Sequence, residues 1–336
     1  MVVKQHERGI TMSDLKEFDA VALGELLIDF TQGGISEQGN PMFEANPGGA
    51  PCNVLSMLTR FGKKVAFIGK VGKDGFGEQL AQAIEEQGIS TRGLCFDEDV
   101  HTTLALVHKL ENGDRDFSFY RKPGADINLK AEEVDEDLIA GSRLFHFGTL
   151  SLTDEPVKSA TKKAIEVAER NDLIISFDPN LREPLWDSLD DAKEAFDYGM
   201  KHCHVLKISD NEILWFTGKD NYDDGIAYLQ SHYPNIQLIC LSLGPDGSRA
   251  IYKDQVDVTI PAFLQDKTIE TTGAGDTFCA CVLNGVLENG LDHLDEEKIK
   301  TIITFANGAA SMITTKKGAL RVMPHVEDVD QFINNY

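Results

Sequence analysis

The stretch Glu270-Thr271-Thr272-Gly273-Ala274-Gly275-Asp276-Thr277-Phe278-Cys279-Ala280 sets one carboxylate among small residues where an apolar helix begins. Those residue types suit an anion site with a base built into it. Gly273 and Gly275 allow close backbone approach, and a helix from about Ala274 to Leu287 aims its unpaired N–H groups and positive dipole end at the same place. A phosphate fits such an end, and Asp276 in the first turn is placed to take a proton from a neighbouring hydroxyl. The plain alternative is a turn followed by a helix-capping carboxylate.

Two segments near the N-terminus bear on that choice. Ala22-Leu23-Gly24-Glu25-Leu26-Leu27-Ile28-Asp29-Phe30 reads as one buried strand with an acid at its far end, and Asn46-Pro47-Gly48-Gly49-Ala50-Pro51-Cys52-Asn53-Val54 opens another helix. Together with Thr271–Asp276 they resemble the ribokinase-like (PfkB) carbohydrate kinase family, whose two signatures are an early glycine pair followed by Asn and a late Gly-Ala-Gly-Asp. Gly24-Glu25 with Asp29, the Pro47–Pro51 segment with Asn53, and Asp178-Pro179-Asn180-Leu181-Arg182 are most similar to the fructokinase branch. The resemblance runs from about Asp19 to Pro324, and several motifs in the right order make it far more specific than any one of them.

The resemblance implies an ATP-dependent sugar kinase, D-fructokinase first. A 2-keto-3-deoxygluconate kinase, a ribokinase and a catalytically silent sugar-binding or scaffold relative stay open, because a few pocket side chains decide between sugars. It assigns Asp276 as general base and Gly273, Ala274, Gly275 and the Asp276 amide as the anion hole. Asp29, Gly48, Gly49 and Asn53 become sugar ligands, with helix capping the alternative for Asn53. Arg182 becomes a donor to the substrate or the moving phosphoryl group, and Asp178 and Asn180 line the same cleft. For the nucleotide it implies Lys207, Ser242, Gly244, Gly247, Thr272, Gly273, Gly275 and Asn307. Lys207–Glu212 resembles the family's Asn-x-x-Glu element, with Ser209 where Asn is usual and Glu212 keeping a water-mediated Mg²⁺ role. Glu270 stands where many relatives carry Asp beside a bound monovalent cation, so it is the candidate K⁺ ligand.

Those residues need elements to hold them. Val65–Gly69, Leu144–Gly148, Leu173–Asp178, Val205–Ile208 and Leu238–Ser242 are short, near-continuous apolar runs, as in strands buried on both faces. Amphipathic stretches such as Pro156–Arg170 and Asp191–Lys201 lie between them. The order predicts an α/β fold, a doubly wound, mainly parallel sheet flanked by helices, with ligands beyond the strand C-termini. Thr102–His108 and Asp116–Tyr120 around Glu111-Asn112-Gly113-Asp114 predict a β-hairpin. With residues at about 30–45, the segment 100–122 resembles the family's β-sheet lid, which excludes water and in some members makes the dimer contact. A homodimer through the lid is therefore expected.

The chain has 336 residues and a net charge of −23, which argues against a nucleic-acid partner but not against ATP held by backbone amides and Mg²⁺. No Gly-x-x-x-x-Gly-Lys-Ser/Thr segment occurs, so the late glycine-rich helix must hold phosphate. Residues 1–18 read as a polar extension and 19–336 as one domain. With no apolar run near the roughly 18 residues a membrane helix needs, no membrane partner and a cytoplasmic location are expected. Six scattered cysteines read as small core residues, and His146, His202 and His204 as structural.

Overall fold

The computed structural model describes residues 16–109, 115–253 and 255–336. The expected N-terminal extension falls largely outside them, and so does the hairpin turn at 111–114. The apolar run at 22–30, expected as a single strand, is two strands, β1 (Phe18–Leu23) and β2 (Leu27–Ile35). The two strands belong to different sheets, and between them Glu25 Oε1 accepts the Ala50 N–H at 2.8 Å.

From β2 the chain continues through β3 (Pro41–Gly48), α1 (Ala50–Arg60), β4 (Val65–Gly72), α2 (Gly75–Glu86), β5 (Ile89–Asp97), β6 (Leu104–Lys109) and β7 (Arg115–Tyr120). Next come α3 (Glu136–Ala140), β8 (Ser142–Gly148), α4 (Val157–Arg170), β9 (Ile174–Asp178), α5 (Leu189–His202), β10 (Val205–Ser209), α6 (Asp210–Thr217) and α7 (Tyr222–His232). The remainder is β11 (Leu238–Ser242), β12 (Ser248–Tyr252), β13 (Val256–Ile260), α8 (Ala274–Asn289), α9 (Glu296–Ile313) and α10 (Val326–Asn335).

Nine strands form the main sheet in the order β13-β12-β11-β10-β9-β8-β1-β4-β5. From β5 to β11 every pairing is parallel, and β12 and β13 close one edge antiparallel. Parallel strands covered on both faces need apolar residues at every position, which is why the runs do not alternate. In β1, Ala20 and Ala22 join the core built with α1, α8 and α9, whereas Val21 and Leu23 join the core built with α4, α5 and α7. The chain winds from β1 to β4 on one side and later reaches β8 on the other. Such a reversal of strand order leaves a crevice at the strand C-termini.

A second, four-stranded sheet, in the order β3-β2-β6-β7, is built from the segments in which a lid is expected. Its root is anchored by a buried ion pair: Arg121 Nε donates to Asp126 Oδ2 at 2.7 Å, and Arg121 Nη2 donates to the Leu150 carbonyl at 2.7 Å. Asp126 also accepts from the Thr103 hydroxyl. A buried carboxylate held by a guanidinium and a hydroxyl avoids the desolvation cost of an unpaired charge. Among the described residues no helix is long and apolar enough to cross a membrane.

Candidate active site

Gly273 caps the N-terminus of α8 in the left-handed conformation, at φ 78°. A Cβ there would lie 2.5 Å from the Ala319 Cβ, so neither the backbone nor the space admits a side chain. Asp276 follows in the first turn of α8, buried to 9 % exposure. It does not cap its own helix. Instead its Oδ2 accepts from Asn53 Nδ2 at 2.8 Å. Burial raises its pKa above the usual carboxylate range, with the Asn53 hydrogen bond, Lys207 and Arg182 working in the opposite direction. A carboxylate made more basic in this way, but kept ionisable by nearby cations, suits a general base.

Asn53 lies in the first turn of α1, beyond the Gly49 cap, and its backbone N–H donates to the Gly49 carbonyl at 3.0 Å. The capping alternative is therefore excluded. While its amide nitrogen holds Asp276, its Oδ1 is buried with no hydrogen-bond partner among the described residues. An orphaned acceptor costs free energy unless a ligand hydroxyl or water supplies a donor. It belongs to a cavity of about 460 Å³ whose lining includes Glu25, Asp29, Gly49, Asn53, Asn180, Arg182, Lys207, Glu270, Thr272, Gly273, Gly275 and Asp276. Lid strands contribute to the same wall through Leu27 and Phe119. Gly48 sits one step away, beside Asp29 and Asn53 in a small adjoining void.

Behind this cavity three carboxylates share one ammonium. Lys207 Nζ lies 3.2 Å from Asp178, and a Cβ on Gly275 would come within 3.1 Å of that Nζ. Although burial disfavours its charge, Asp178, Glu212 and Asp276 hold the Lys207 pKa above the ordinary lysine range. Burial pushes Asp178 up to about 7, with Glu212 and Asp276 adding to the rise and Lys207 opposing it. Glu212 behaves differently. Burial acts against its charge too, yet Lys207 and hydrogen bonds from Ser209 and Leu181 keep its pKa low. Its Oε1 accepts from the Leu181 N–H at 2.7 Å and its Oε2 from the Ser209 N–H and hydroxyl at 2.9 and 2.8 Å. Ser209, in the place of the expected Asn, is thus the cap of α6 with Glu212 as its reciprocal partner. Glu212 lines neither cavity.

A second cavity, of about 410 Å³, lies on the other side of the α8 N-terminus. Ser242, Gly244, Gly247, Ala274, Gly275 and Asn307 line it, with Phe263, Leu264 and Ala310. Asn307 is already engaged, accepting from Ser248 Oγ at 2.8 Å and donating to the Ile260 and Pro261 carbonyls at 3.0 and 3.1 Å. It shapes the wall rather than offering a free amide. Lys207, Thr272 and Gly273, expected on the nucleotide side, face the first cavity with Asp276. The two cavities share Thr268, Thr271 and Gly275.

A sequence model of the pfkB family of carbohydrate kinases matches residues 18–326. The chain belongs to that family. It is 39% identical over 306 residues to a probable fructokinase-2 of Arabidopsis thaliana, an alignment covering 90% of this chain and 92% of the relative. It is 40% identical over 306 residues to fructokinase-2 of Solanum lycopersicum, with the same coverage of each. The fold matches the crystal structure of fructokinase with bound ATP from Xylella fastidiosa at a TM-score of 0.85 and 26% identity, covering 94% of this chain and 98% of that one. It also matches fructokinase from Vibrio cholerae O395 in a fructose-, ADP- and calcium-bound form, at a TM-score of 0.84 and 28% identity over 94% and 99% of the two chains.

For a carbohydrate kinase, three contributors went unassigned in the sequence. Glu25, noted only as part of the Gly24-Glu25 motif, lines the first cavity, and burial pushes its pKa up to about 7. Thr268 and Thr271 sit where the cavities meet, and only their proximity to Gly273 in sequence hinted at this. The histidines are structural: His146 Nδ1 pairs with Ser176 Oγ at 3.0 Å, His202 with Glu169 at 2.6 Å, and His204 Nδ1 accepts the Ile175 N–H at 3.1 Å. All six cysteines are free thiols, five of them buried.

Proposed function

We propose that this carbohydrate kinase transfers the γ-phosphoryl group of ATP to a primary hydroxyl of D-fructose. The observation that carries this reading is the position of Asp276, a buried carboxylate of raised pKa in the first turn of α8 that lines the first cavity next to Gly275, where the two cavities meet. In the proposal fructose occupies the first cavity, with hydroxyls against Asp29, Gly48, Gly49 and Asn53, and Asn53 Oδ1 gains the donor it lacks. Adenine and ribose occupy the second, beside Ser242, Gly244, Gly247 and Asn307.

Asp276 takes the proton of the attacking hydroxyl, and the oxygen meets the γ-phosphorus in line with the leaving oxygen of the diphosphate. Negative charge gathers on the equatorial oxygens of a loose transition state. The amides of Gly273, Gly275 and Asp276 and the α8 dipole are the proposed partners of that charge, with Arg182 and Lys207 as positive groups; the Ala274 N–H, expected among them, is instead given to the Thr271 carbonyl at 3.1 Å. Phe119, Leu27 and Leu150 make the cavity wall less hospitable to water, which otherwise competes as acceptor.

Mg²⁺ fits this site only as a companion of the phosphates. Among the described residues no group of three or more His, Cys, Asp or Glu is arranged to hold a metal. When bound it would neutralise phosphate charge, but Glu212, the carboxylate expected for its water shell, lines neither cavity and has both oxygens engaged, and Asp178 is paired with Lys207. Glu270 is the proposed K⁺ ligand, although its Oε1 already accepts the Gly318 N–H at 2.8 Å. A homodimer through the lid is supported by the exposed apolar residues Ile35, Met42, Phe43 and Tyr120 on that sheet. A cytoplasmic location belongs to the same proposal, and cell fractionation tests it.

The deciding experiment is a coupled ADP-release assay with Mg-ATP against fructose, ribose, 2-keto-3-deoxygluconate, glucose and adenosine, with Asp276→Asn as control. Turnover on fructose far above the others is expected. Preference for another sugar moves the substrate and keeps the mechanism, whereas no turnover at all supports a silent binding protein.

A further inference from the structure

The loop from Pro261 to Thr268 forms one wall of the second cavity, yet it has no regular secondary structure and no backbone–backbone hydrogen bond among the described residues. Something else must fix it. From beneath, Asn307 and Ser311 of α9 reach its carbonyls. From outside, Phe263 sits in a triad with Phe332 of α10 and Tyr336: ring centroids are 5.7 Å apart for Phe263–Phe332, 5.0 Å for Phe263–Tyr336 and 5.9 Å for Phe332–Tyr336. The Phe263–Tyr336 pair meets edge to face at 78°, a favoured aromatic geometry. Tyr336 Oη also accepts the Leu264 N–H at 3.1 Å. Leu264 and Tyr336 are 60% and 65% exposed, so without the triad this wall would be a solvated, mobile segment.

We propose that Phe332 and Tyr336 are positioning residues for the nucleotide, clamping the Phe263–Leu264 wall so that the second cavity is formed before ATP arrives. The proposal rests on the second cavity being the nucleotide site. Pre-forming a wall removes an ordering cost that the ligand would otherwise meet, so the clamp acts on affinity. It leaves the α8 N-terminus and the first cavity untouched, and chemistry and sugar binding should not depend on it.

The test compares Tyr336→Ala, Phe332→Ala and Tyr336→Phe in the full chain, reading KM for ATP, KM for the sugar, kcat, and ADP affinity by calorimetry. Loss of one or two aromatic pairs predicts an ATP KM and an ADP Kd raised about three- to ten-fold, with kcat and sugar KM within about two-fold. Tyr336→Phe, which keeps the ring, should recover most of the loss. Unchanged ATP and ADP values in both alanine variants overturn the proposal, and so does a parallel loss of kcat and both KM values, which a merely structural role produces. Ala310→Trp, filling the cavity itself, separates the two levels of argument. If it weakens ADP binding while the alanine variants do not, the clamp is wrong and the nucleotide site stands; if it has no effect, both fall.

Discussion

Asn53 and Asp276, 223 positions apart in the chain, meet at 2.8 Å and bind the first turn of α1 to the first turn of α8. The contact joins the proposed sugar ligand to the proposed base. Asp276→Asn should lower kcat by about 10²-fold or more while sugar binding persists, since the proton acceptor is lost and the shape is kept. Steady-state kinetics with calorimetric sugar titration checks both halves.

Asn53→Ala should move the pH profile in a fixed direction. The lost hydrogen bond is one that favours ionised Asp276, so the already raised pKa climbs further. The acid limb of kcat/KM is expected at higher pH than in the parent, together with a higher sugar KM. An acid limb that stays in place would refute the base assignment.

Lys207→Met should be costly in both stability and rate. Asp178 and Glu212 lose the ammonium that compensates them, and breaking a buried pair by removing one partner costs roughly 3–5 kcal/mol. Urea denaturation should show a lower midpoint, and kcat should fall by about 10-fold or more if the ammonium faces the moving phosphoryl group.

Gly48→Ala isolates the sugar side. A Cβ there would sit 2.3 Å from Asp29 Oδ2, so the carboxylate must swing away from the cavity. Sugar KM should rise about 10-fold or more with ATP KM nearly unchanged, because loss of well-placed hydrogen bonds to hydroxyls weakens sugar binding alone.

The part of the stability that rests on Glu25 and Asp178 should fall as pH rises from the ordinary carboxylate range to about 7, opposed by His146 and His204, whose burial lowers their pKa and favours the fold as pH rises. Burial raises Glu25 and Asp178 to about 7, so in that window the folded chain holds protons that the unfolded chain has released. The contribution is complete at the acid end and lost as pH passes through the folded value. Denaturation of the parent against Glu25→Gln between pH 5 and 8 isolates the Glu25 part: the permanently neutral variant should gain stability relative to the parent as pH rises through about 7.

What the sequence revealed was local. The strands beneath the site show as runs of Val, Ile, Leu and Phe because both faces are buried, and Gly273–Asp276 and Gly48–Asn53 are contiguous motifs whose geometry lies within a few residues. Long-range consequences were hidden. The break between β1 and β2 sends them to different sheets, and Glu25 between them meets the Ala50 N–H, 25 positions on. The Lys207 cluster draws on β9, β10, α6 and α8, and no periodicity announces that four charges will converge. Asn307 lines the second cavity, but its engagement by Ser248, Ile260 and Pro261 follows only from how α9 packs on β12 and β13.

The two cavities touch at Thr268, Thr271 and Gly275 and are otherwise lined by different residues. On the proposed assignment, sugar and nucleotide meet at the tip of one helix from two chambers that have only those three lining residues in common. Each substrate then has a chamber of its own, and the phosphoryl group is the one part that must cross between them.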